Sequence, residues 1–155
     1  PSAPDMLAYL LQHLIFCAVH PHEHPECRTH LLLPGQSQTL ADIPQAAARA
    51  QLAQWLAYFR LGQSRPLPFF AKTGLAVAEV LSSNKADSLE RAQQSARSEY
   101  HGSKKSTGQR DYIEVDLVFG RDSVEPIDTP LFWNLLEDLL VPLLQALQAE
   151  AATAD

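Results

Sequence analysis

Apolar residues at the start of the chain recur every three or four positions, which is the spacing of one buried face of an amphipathic helix. We therefore predict a helix through Leu7–Ala18, with Asp5 as its N-cap and the prolines of His20–Pro25 at its end. Similar spacing predicts four more helices, with Lys72 or Thr73 opening the second of them and Thr129 capping the last. These four cover Gln45–Leu61, Leu75–Leu81, Asp87–Tyr100 and Pro130–Ala149.

Three shorter segments have the composition of β-strands. Thr29–Leu33 and Gln38–Ile43 are predicted to pair as an antiparallel hairpin around a turn at Pro34–Ser37. Tyr112–Phe119 alternates apolar with acidic residues, which is the pattern of a half-buried strand. Irregular structure is predicted for an extended connector and a flexible loop, Ser64–Phe70 and Gly102–Gly108. The predicted fold class is α+β and helix-rich, with about five helices and three short strands.

Three separated strands are few for five amphipathic helices, each of which must bury an apolar face. We expect residues 1–155 to form a single domain that is the C-terminal segment of a larger subunit, whose further strands lie upstream. Such a segment would expose apolar surface and could self-associate as a homodimer. The leucines predicted to form this surface lie on the first and last helices: Leu7, Leu11, Leu14, Leu140 and Leu144.

Charge is distributed unevenly along the chain, whose net charge is −6. Residues 84–110 carry six basic and three acidic side chains, whereas residues 111–155 carry one basic and ten acidic side chains. A basic stretch followed by an acidic one could steer a partner, but two solvated surfaces of opposite charge would give the same pattern. Two cysteines are too few for a disulfide framework. Every long apolar run is interrupted, so we expect a cytoplasmic protein without a membrane span or secretion signal.

Three segments in series carry a resemblance to a known family. Leu56–Leu81 contains a helix ending in an arginine–glycine turn, then Pro-Leu-Pro-Phe-Phe and Lys-Thr-Gly-Leu-Ala. Ala96–Gly102 has the sequence Ala-Arg-Ser-Glu-Tyr-His-Gly and precedes the tyrosine-led strand, and Phe132–Leu147 contains Leu-Leu-Val-Pro-Leu-Leu. In order and spacing, from about residue 6 to residue 148, the chain resembles the C-terminal segment of the exodeoxyribonuclease V gamma chain, the RecC subunit family.

The resemblance implies a fold related to the PD-(D/E)XK nuclease domain of the partner RecB subunit, but lacking its active site. It also implies that the segment helps to assemble the RecBCD helicase–nuclease complex, with RecB-like and RecD-like partners, and to hold the DNA junction during double-strand-break repair and recombination. On this interpretation the segment is not an enzyme and uses no cofactor, although the parent complex is an ATP-dependent exodeoxyribonuclease and helicase.

Metal-dependent nucleases need clustered carboxylates with a lysine beside them, and two groups of carboxylates in this chain come near that requirement. Glu114 and Asp116 lie on a predicted strand, but two apolar residues follow where the lysine would be required. Further carboxylates lie in a proline-containing loop that also lacks a lysine: Asp122, Glu125 and Asp128. We expect no nuclease site wholly within this chain. Two alternatives stay open, a nuclease-fold enzyme completed by upstream residues and a stand-alone metal- or DNA-binding module.

Potential metal ligands are concentrated between the first predicted helix and the hairpin: His20, His22, Glu23, His24, Glu26, Cys27 and His30. Imidazole, thiolate and carboxylate groups bind zinc, and close spacing in a loop can satisfy tetrahedral geometry. The spacing matches no established zinc pattern, so an exposed polar loop is the favoured interpretation. The candidates for metal binding are His20, His22, His24 and Cys27.

The loop Gly102–Gly108 superficially resembles a phosphate-binding loop. The established motif has a glycine directly before its lysine and a helix after it, whereas here no glycine precedes the lysine and a strand is predicted to follow. Nucleotide binding by this loop is therefore not expected. Basic residues in and before the loop could instead neutralise DNA phosphates, or simply form a solvated surface. The candidates for nucleic-acid contact are Arg97, Lys104, Lys105 and Arg110, with Arg91 upstream.

Cysteine and aromatic residues on the predicted helices are expected in the core. Neither cysteine and no serine lies in a recognised nucleophile motif, and Cys17 falls on the first helix among leucines. Large aromatic residues at helical spacing are interpreted in the same way, although some could face a partner subunit: Trp55, Phe59, Phe132 and Trp133.

Overall fold

The computed structural model describes residues 2–20, 29–33, 36–83, 85–103, 106–121 and 123–148. The predicted helix-rich α+β class is confirmed within these ranges. The helices are α1 (Ala3–Val19), α2 (Gln45–Gly62), α3 (Ala71–Ser82), α4 (Ser88–His101), α5 (Ile113–Phe119), α6 (Pro130–Leu135) and α7 (Val141–Gln148). The strands are β1 (His30–Leu33), β2 (Gln36–Thr39), β3 (Gly102–Ser103) and β4 (Ser106–Thr107). No helix in the described ranges is long and apolar enough to cross a bilayer.

Helix α1 begins with a capping box. Ser2 is the N-cap, and its hydroxyl accepts a hydrogen bond from the Asp5 backbone N–H at 3.4 Å. In return, Asp5 Oδ2 accepts from the Ser2 N–H at 3.1 Å and from the Ser2 hydroxyl at 2.6 Å. The prediction of Asp5 as N-cap is therefore wrong by three residues. Pro4 lies inside the first turn, where its missing N–H needs no intrahelical partner.

We expect this capping box to make stability depend on pH in acid. Hydrogen bonds from Ser2 lower the pKa of Asp5 from its ordinary value of 3.8. A carboxyl group with a lowered folded-state pKa stabilises the fold above its unfolded pKa, and that contribution disappears as the pH falls through the folded value. Asp5→Asn should reduce the melting temperature at pH 7 and flatten its fall below about pH 4. Thermal unfolding from pH 7 to pH 2 tests this, with exposed Glu137→Gln as the control, and identical Asp5→Asn and wild-type profiles would contradict it.

Strands β1 and β2 form the predicted antiparallel hairpin. The turn predicted at Pro34–Ser37 is shorter, because β2 starts at residue 36, and the two residues between the strands lie outside the described ranges. The second strand was predicted over Gln38–Ile43, but it ends at Thr39. The chain leaves the hairpin there because Leu40 and Ile43 are buried in the hydrophobic core. Burying these two side chains in the core is more favourable than continuing β2 alongside β1.

Helix α3 contacts α1, α4, α7 and the turn that precedes α7. Gly74 allows the close approach of the C-terminal helical segment, which consists of α6, the turn after it and α7. A Cβ atom at position 74 would lie 2.9 Å from Leu140 Cδ1 and 3.2 Å from Leu136 Cδ2. The Lys-Thr-Gly-Leu-Ala motif thus lies at the helix crossing that organises the core.

The C-terminal helical segment widens into a π-helical turn over Leu136–Leu140, between α6 and α7. The Val141 N–H donates to the Leu136 carbonyl, five residues back. Pro142 explains this widening, because it has no N–H to donate and its ring would clash with the carbonyl of residue 138 in a regular α-helix. Thr129 caps α6 as predicted, since its hydroxyl accepts from the Phe132 N–H at 3.4 Å.

An aromatic cluster centred on Phe70 joins the helices. The centroid of the Phe70 ring lies 5.3 Å from that of Tyr100, 5.8 Å from that of Phe119 and 6.3 Å from that of Phe132. The connector before Phe70 forms no strand, as predicted. Its last residue thereby links the start of α3 to α4, α5 and α6.

The prediction of a strand over Tyr112–Phe119 is wrong, because the segment is helix α5. The Tyr112 carbonyl accepts from the N–H groups of residues 115 and 116, which starts the helix. Val115 and Phe119, four residues apart, pack against the core, whereas Ile113 and Leu117 are exposed. Alternation alone favours a strand, but a strand also needs a partner, and β3 and β4 pair with each other.

The five leucines predicted to form a self-association surface lie in or against the chain's own core. Leu7, Leu14 and Leu140 are buried, and Leu11 and Leu144 are partly buried against the same core. The prediction is wrong for Leu7, Leu14 and Leu140, because these side chains are buried within the chain, whereas it stays a prediction for Leu11 and Leu144. Helix α1 also keeps exposed apolar side chains, among them Ile15 at 50%.

Candidate functional site

An apolar groove lies between α2 and the C-terminal helical segment. Its volume is about 290 Å³. Aromatic and leucine side chains from α2, the connector and the C-terminal segment line it: Trp55, Tyr58, Phe59, Leu67, Phe69 and Leu139. Concave apolar surfaces with aromatic walls are typical sites for a ligand or a partner's side chains.

The C-terminal half of α2 leaves this groove open. Phe59 is 65% exposed and Leu56 is 54% exposed, so the prediction that Phe59 packs in the core is wrong. Helix α2 is buried at Ala48, in its first half, and contacts α1. Further along, Trp55 packs edge-on against Phe69 at a centroid distance of 5.6 Å. The apolar stripe of α2 is therefore covered at one end and bare at the other.

A short hydrogen bond joins the two sides of the groove. The Tyr58 hydroxyl donates to Asp138 Oδ2 at 2.5 Å. Desolvation, followed by the hydrogen bond to Asp138 and its negative charge, raises the pKa of Tyr58 to about 12. The phenol is a hydrogen-bond donor that links α2 to the π turn.

Trp55 also carries a polar atom that lacks a partner within the described ranges. Its indole N–H is buried without a hydrogen-bond acceptor there, and the side-chain oxygen of Gln51, one helical turn earlier, is buried without a donor. Each buried polar group left unpaired costs about 1–3 kcal/mol.

The residues predicted to contact nucleic acid differ in their surroundings. Arg110 Nη1 donates to Glu125 Oε1 at 3.3 Å and lies 3.1 Å from His101 Nδ1. His101 Nε2 in turn lies 3.0 Å from Glu125 Oε2. This cluster ties the end of α4 to the loop before α6. Arg97 is exposed and forms no ion pair within the described ranges.

The loop predicted at Gly102–Gly108 contains the small hairpin of β3 and β4, with Ser103 opposite Ser106. Lys104 and Lys105 lie outside the described residues. Gly102 has a φ of +73°, a left-handed conformation that favours glycine and lets the chain turn directly from α4 into β3. In the sequence, Lys104 and Lys105 come directly after β3.

The predicted metal ligands are described only at the two ends of their segment. His20 follows the last turn of α1, and His30 begins β1, where its Nδ1 lies 3.0 Å from the Thr39 hydroxyl. His22, His24 and Cys27 lie outside the described ranges, as do Glu23 and Glu26. Among the described residues, no group of three or more histidine, cysteine or acidic side chains could hold a metal ion.

Of the carboxylates considered for a nuclease site, Asp116 and Glu125 line one small pocket beside Arg110, whereas the described residues Glu114 and Asp128 do not line it. Glu114 and Asp116 are exposed on α5 rather than on a strand. Glu125 pairs with Arg110 and His101, and Asp128 lies in the 3₁₀ turn Pro126–Asp128. Asp122 lies outside the described residues.

A buried polar cluster on α1 was missed by the sequence reasoning. Cys17 Sγ lies 3.5 Å from His13 Nε2 and donates to Asp42 Oδ1 at 3.5 Å, and His13 Nε2 lies 2.7 Å from the Ala41 carbonyl. Desolvation is the main cause that raises the pKa of Cys17. Because the reactive form of cysteine is the thiolate, this thiol is suited to packing, and its predicted place in the core is confirmed. The available signal was the position of His13 on the leucine face of α1.

Comparison with known proteins gives one match. The family model described as the RecC C-terminal domain matches residues 1–82, which contain α1, α2 and α3. No curated protein and no solved structure matches the chain. The matched region includes the exposed end of α2 and the connector beside the groove, whereas α4 to α7 lie beyond it.

Proposed function

The chain belongs to the RecC C-terminal domain family, and we propose that it is a non-catalytic assembly domain of an exodeoxyribonuclease V complex. In this proposal it is part of a larger subunit that acts in the cytoplasm, in double-strand-break repair and recombination. Its partners are RecB-like and RecD-like subunits. The domain contributes contacts between subunits and along the DNA path, whereas the chemistry belongs to the parent complex.

The exposed apolar end of α2 is the observation that carries this proposal. Phe59 and Leu56 stand largely in solvent beside an apolar groove of about 290 Å³. Burying each such side chain is worth roughly 1.5–3 kcal/mol. Aromatic residues next to apolar pockets are also the residues that dominate binding energy at protein interfaces. Both side chains lie in the family-matched part of the chain.

We propose an amphipathic helix of the RecB-like subunit as the occupant of the groove. The groove runs between two helical segments, and an amphipathic helix placed there would insert side chains at one-turn spacing.

A relation to PD-(D/E)XK nucleases, with the active site lost, is part of the same proposal. Its support is the three-segment resemblance, together with the exposure of Glu114 and Asp116 on a helix. Purified chain is expected to leave linear duplex and single-stranded DNA uncut in Mg²⁺ or Mn²⁺. Cutting that disappears in Asp116→Ala would count against this part of the proposal.

The assembly proposal predicts that Leu56→Asp and Phe59→Asp weaken binding to the RecB-like subunit at least tenfold, because each places a charge where an apolar contact forms. Affinity is measured by titrating the purified chain into the purified subunit. The matched control is Leu117→Asp, which changes a leucine that is 76% exposed on α5, away from the groove. Phe59 lines the groove, whereas Leu56 is exposed outside its lining. Equal affinities for Phe59→Asp and the control would therefore refute the groove as the interface.

A contact with DNA is the remaining part of the proposal, through Arg97, Lys104, Lys105 and Arg110. The support is the basic stretch at residues 84–110 and the exposed guanidinium of Arg97. Such binding is expected to be weak, since phosphate neutralisation supplies its energy and salt competes with it.

A further inference from the structure

A second groove lies between α1 and β1. Its volume is about 420 Å³. One side is a stripe of α1, with Tyr9, Gln12, His13 and Phe16 at the three- and four-residue spacing of one helix face. The other side is formed by residues 29–32. This space, the α1–β1 groove, shares no described lining residue with the apolar groove beside α2.

The α1–β1 groove runs along one edge of the hairpin. Side chains of successive strand residues point to opposite faces, so a space that contacts four consecutive residues follows the edge of the strand rather than one face. None of the described residues that line the groove lies on β2. The edge concerned is therefore the one that β1 turns away from β2.

The backbone groups at this edge are those of His30 and Leu32. Thr29 and Leu40 continue the register of the hairpin, and the Leu40 N–H donates to the Thr29 carbonyl at 2.9 Å. Hydrogen-bonded pairs alternate along an antiparallel ladder, so every second residue from Thr29 turns its N–H and C=O groups toward β2, whereas His30 and Leu32 turn theirs away. Within the described ranges, neither His30 nor Leu32 has a backbone hydrogen bond across this edge. Their N–H donors and C=O acceptors are available to a further strand.

The walls of the groove are suited to an apolar strand. Leu32 is 82% exposed and Tyr9 is 41% exposed, and both line the groove. The described lining residues include no lysine, arginine or carboxylate, so a charged ligand would find no counter-ion there. On the α1 side, His13 is buried and its Nε2 lies 2.7 Å from the Ala41 carbonyl, which holds the ring in place. An unpaired backbone edge beside an apolar wall is the arrangement that accepts an added strand.

We propose that the α1–β1 groove holds a β-strand from the segment of the larger subunit that directly precedes α1, paired in parallel with β1. A helix is the usual connection between two neighbouring parallel strands, and it packs across both of them. Helix α1 has 17 residues, precedes β1 and borders the free edge of β1, as the helix of such a strand–helix–strand unit does. The inference rests on the proposed function, in which the chain is part of a larger subunit.

A second copy of the chain fits this edge less well. Pairing two β1 edges across a two-fold axis would bring the α1 of each copy to the space that the α1 of the other borders. A strand joined to α1 has no such conflict, and its connection to the helix keeps it at a high effective concentration near the edge. The strand is expected to be a run of about four to eight mostly apolar residues, since its side chains facing α1 are buried.

Amide hydrogen exchange tests the proposal, with single-residue readout by mass spectrometry on the full-length subunit and on residues 1–155 alone. In residues 1–155 the N–H groups of His30 and Leu32 are expected to exchange fast, because they face the open groove. In the full-length subunit both should exchange at least about tenfold more slowly, because they donate to the added strand.

A proline at the free edge gives a matched pair of variants. Leu32→Pro removes an outward N–H that β2 does not use, so the hairpin itself tolerates the change. In the full-length subunit this variant should return the His30 amide to the fast exchange of residues 1–155. The control is Ser37→Pro, which removes an outward N–H from the opposite edge, on β2, and should leave the His30 amide slow.

Fast exchange of both amides in the full-length subunit would overturn the proposal. Slow exchange in residues 1–155 that depends on concentration would identify a second copy as the occupant, and slow exchange that appears only after the RecB-like subunit is added would identify a partner's strand. Either result also overturns the proposal. The main comparison contains no partner subunit, so its failure leaves the assembly proposal intact, and loss of subunit binding in Phe59→Asp leaves the exchange of His30 unchanged.

Discussion

Phe70→Ala is expected to lower the free energy of unfolding by about 3–5 kcal/mol. The ring of Phe70 is 5% exposed and contacts three other aromatic rings, on α4, α5 and α6. Removing it deletes a large apolar side chain and leaves a cavity where these elements meet. Urea unfolding followed by circular dichroism measures the loss.

The control for Phe70 is the same change at an exposed phenylalanine. Phe59 is 65% exposed, so Phe59→Ala is expected to change stability by less than about 0.5 kcal/mol. Should Phe70→Ala fail to fold, Phe70→Leu keeps the comparison possible, with an expected cost of about 1–2 kcal/mol. Equal costs for the two alanine variants would contradict the position of Phe70 at the centre of the core.

Gln109→Leu is expected to cost about 2–4 kcal/mol, because it leaves two buried donors unpaired. Gln109 Oε1 accepts from the Thr73 backbone N–H at 3.1 Å and from the Thr73 hydroxyl at 2.9 Å, and Thr73 is fully buried. The N-cap of α3 is Phe70, whose side chain makes no capping bond. Gln109 therefore caps α3 from 36 residues away.

The same unfolding measurement tests Gln109, with the exposed Gln54→Leu as the matched control. A Thr73→Ala change in the Gln109→Leu background should cost less than Thr73→Ala alone, because the hydroxyl has already lost its acceptor. A loss below about 0.5 kcal/mol in Gln109→Leu would show that water or another group replaces the cap.

Helical spacing was sufficient to predict most of the fold, because α1, α3 and α4 each bury a stripe of their own residues. It failed at α5, where Ile113 and Leu117 alternate with acidic residues but point to solvent. The error arose because alternation reports only which residues are apolar, whereas the choice between strand and helix here depends on an available pairing edge. The capping of α3 by Gln109 was equally hidden, since long-range hydrogen bonds leave no local pattern.

The candidate sites were predictable only in part. Basic residues such as Arg97 were identified from charge, but the α1–β1 groove requires knowing that α1 lies beside the free edge of β1. Leu56 and Phe59 lie on the same apolar stripe of α2 as Leu52, and the sequence does not indicate at which residue this stripe leaves the core. Burial on α2 is confined to Ala48, in its first half, and this depends on tertiary packing that the sequence does not specify.

A photoreactive side chain in place of Phe59 gives the most direct test of the assembly claim. The labelled chain is mixed with purified RecB-like and RecD-like subunits, irradiated, and the crosslinked peptides are identified by mass spectrometry. We expect a crosslink from position 59 to an amphipathic helix of the RecB-like subunit, and none from the same label at Leu117 on α5. Crosslinks from position 117 alone, or from neither position in an assembled complex, would contradict the claim that the groove beside α2 is the subunit interface.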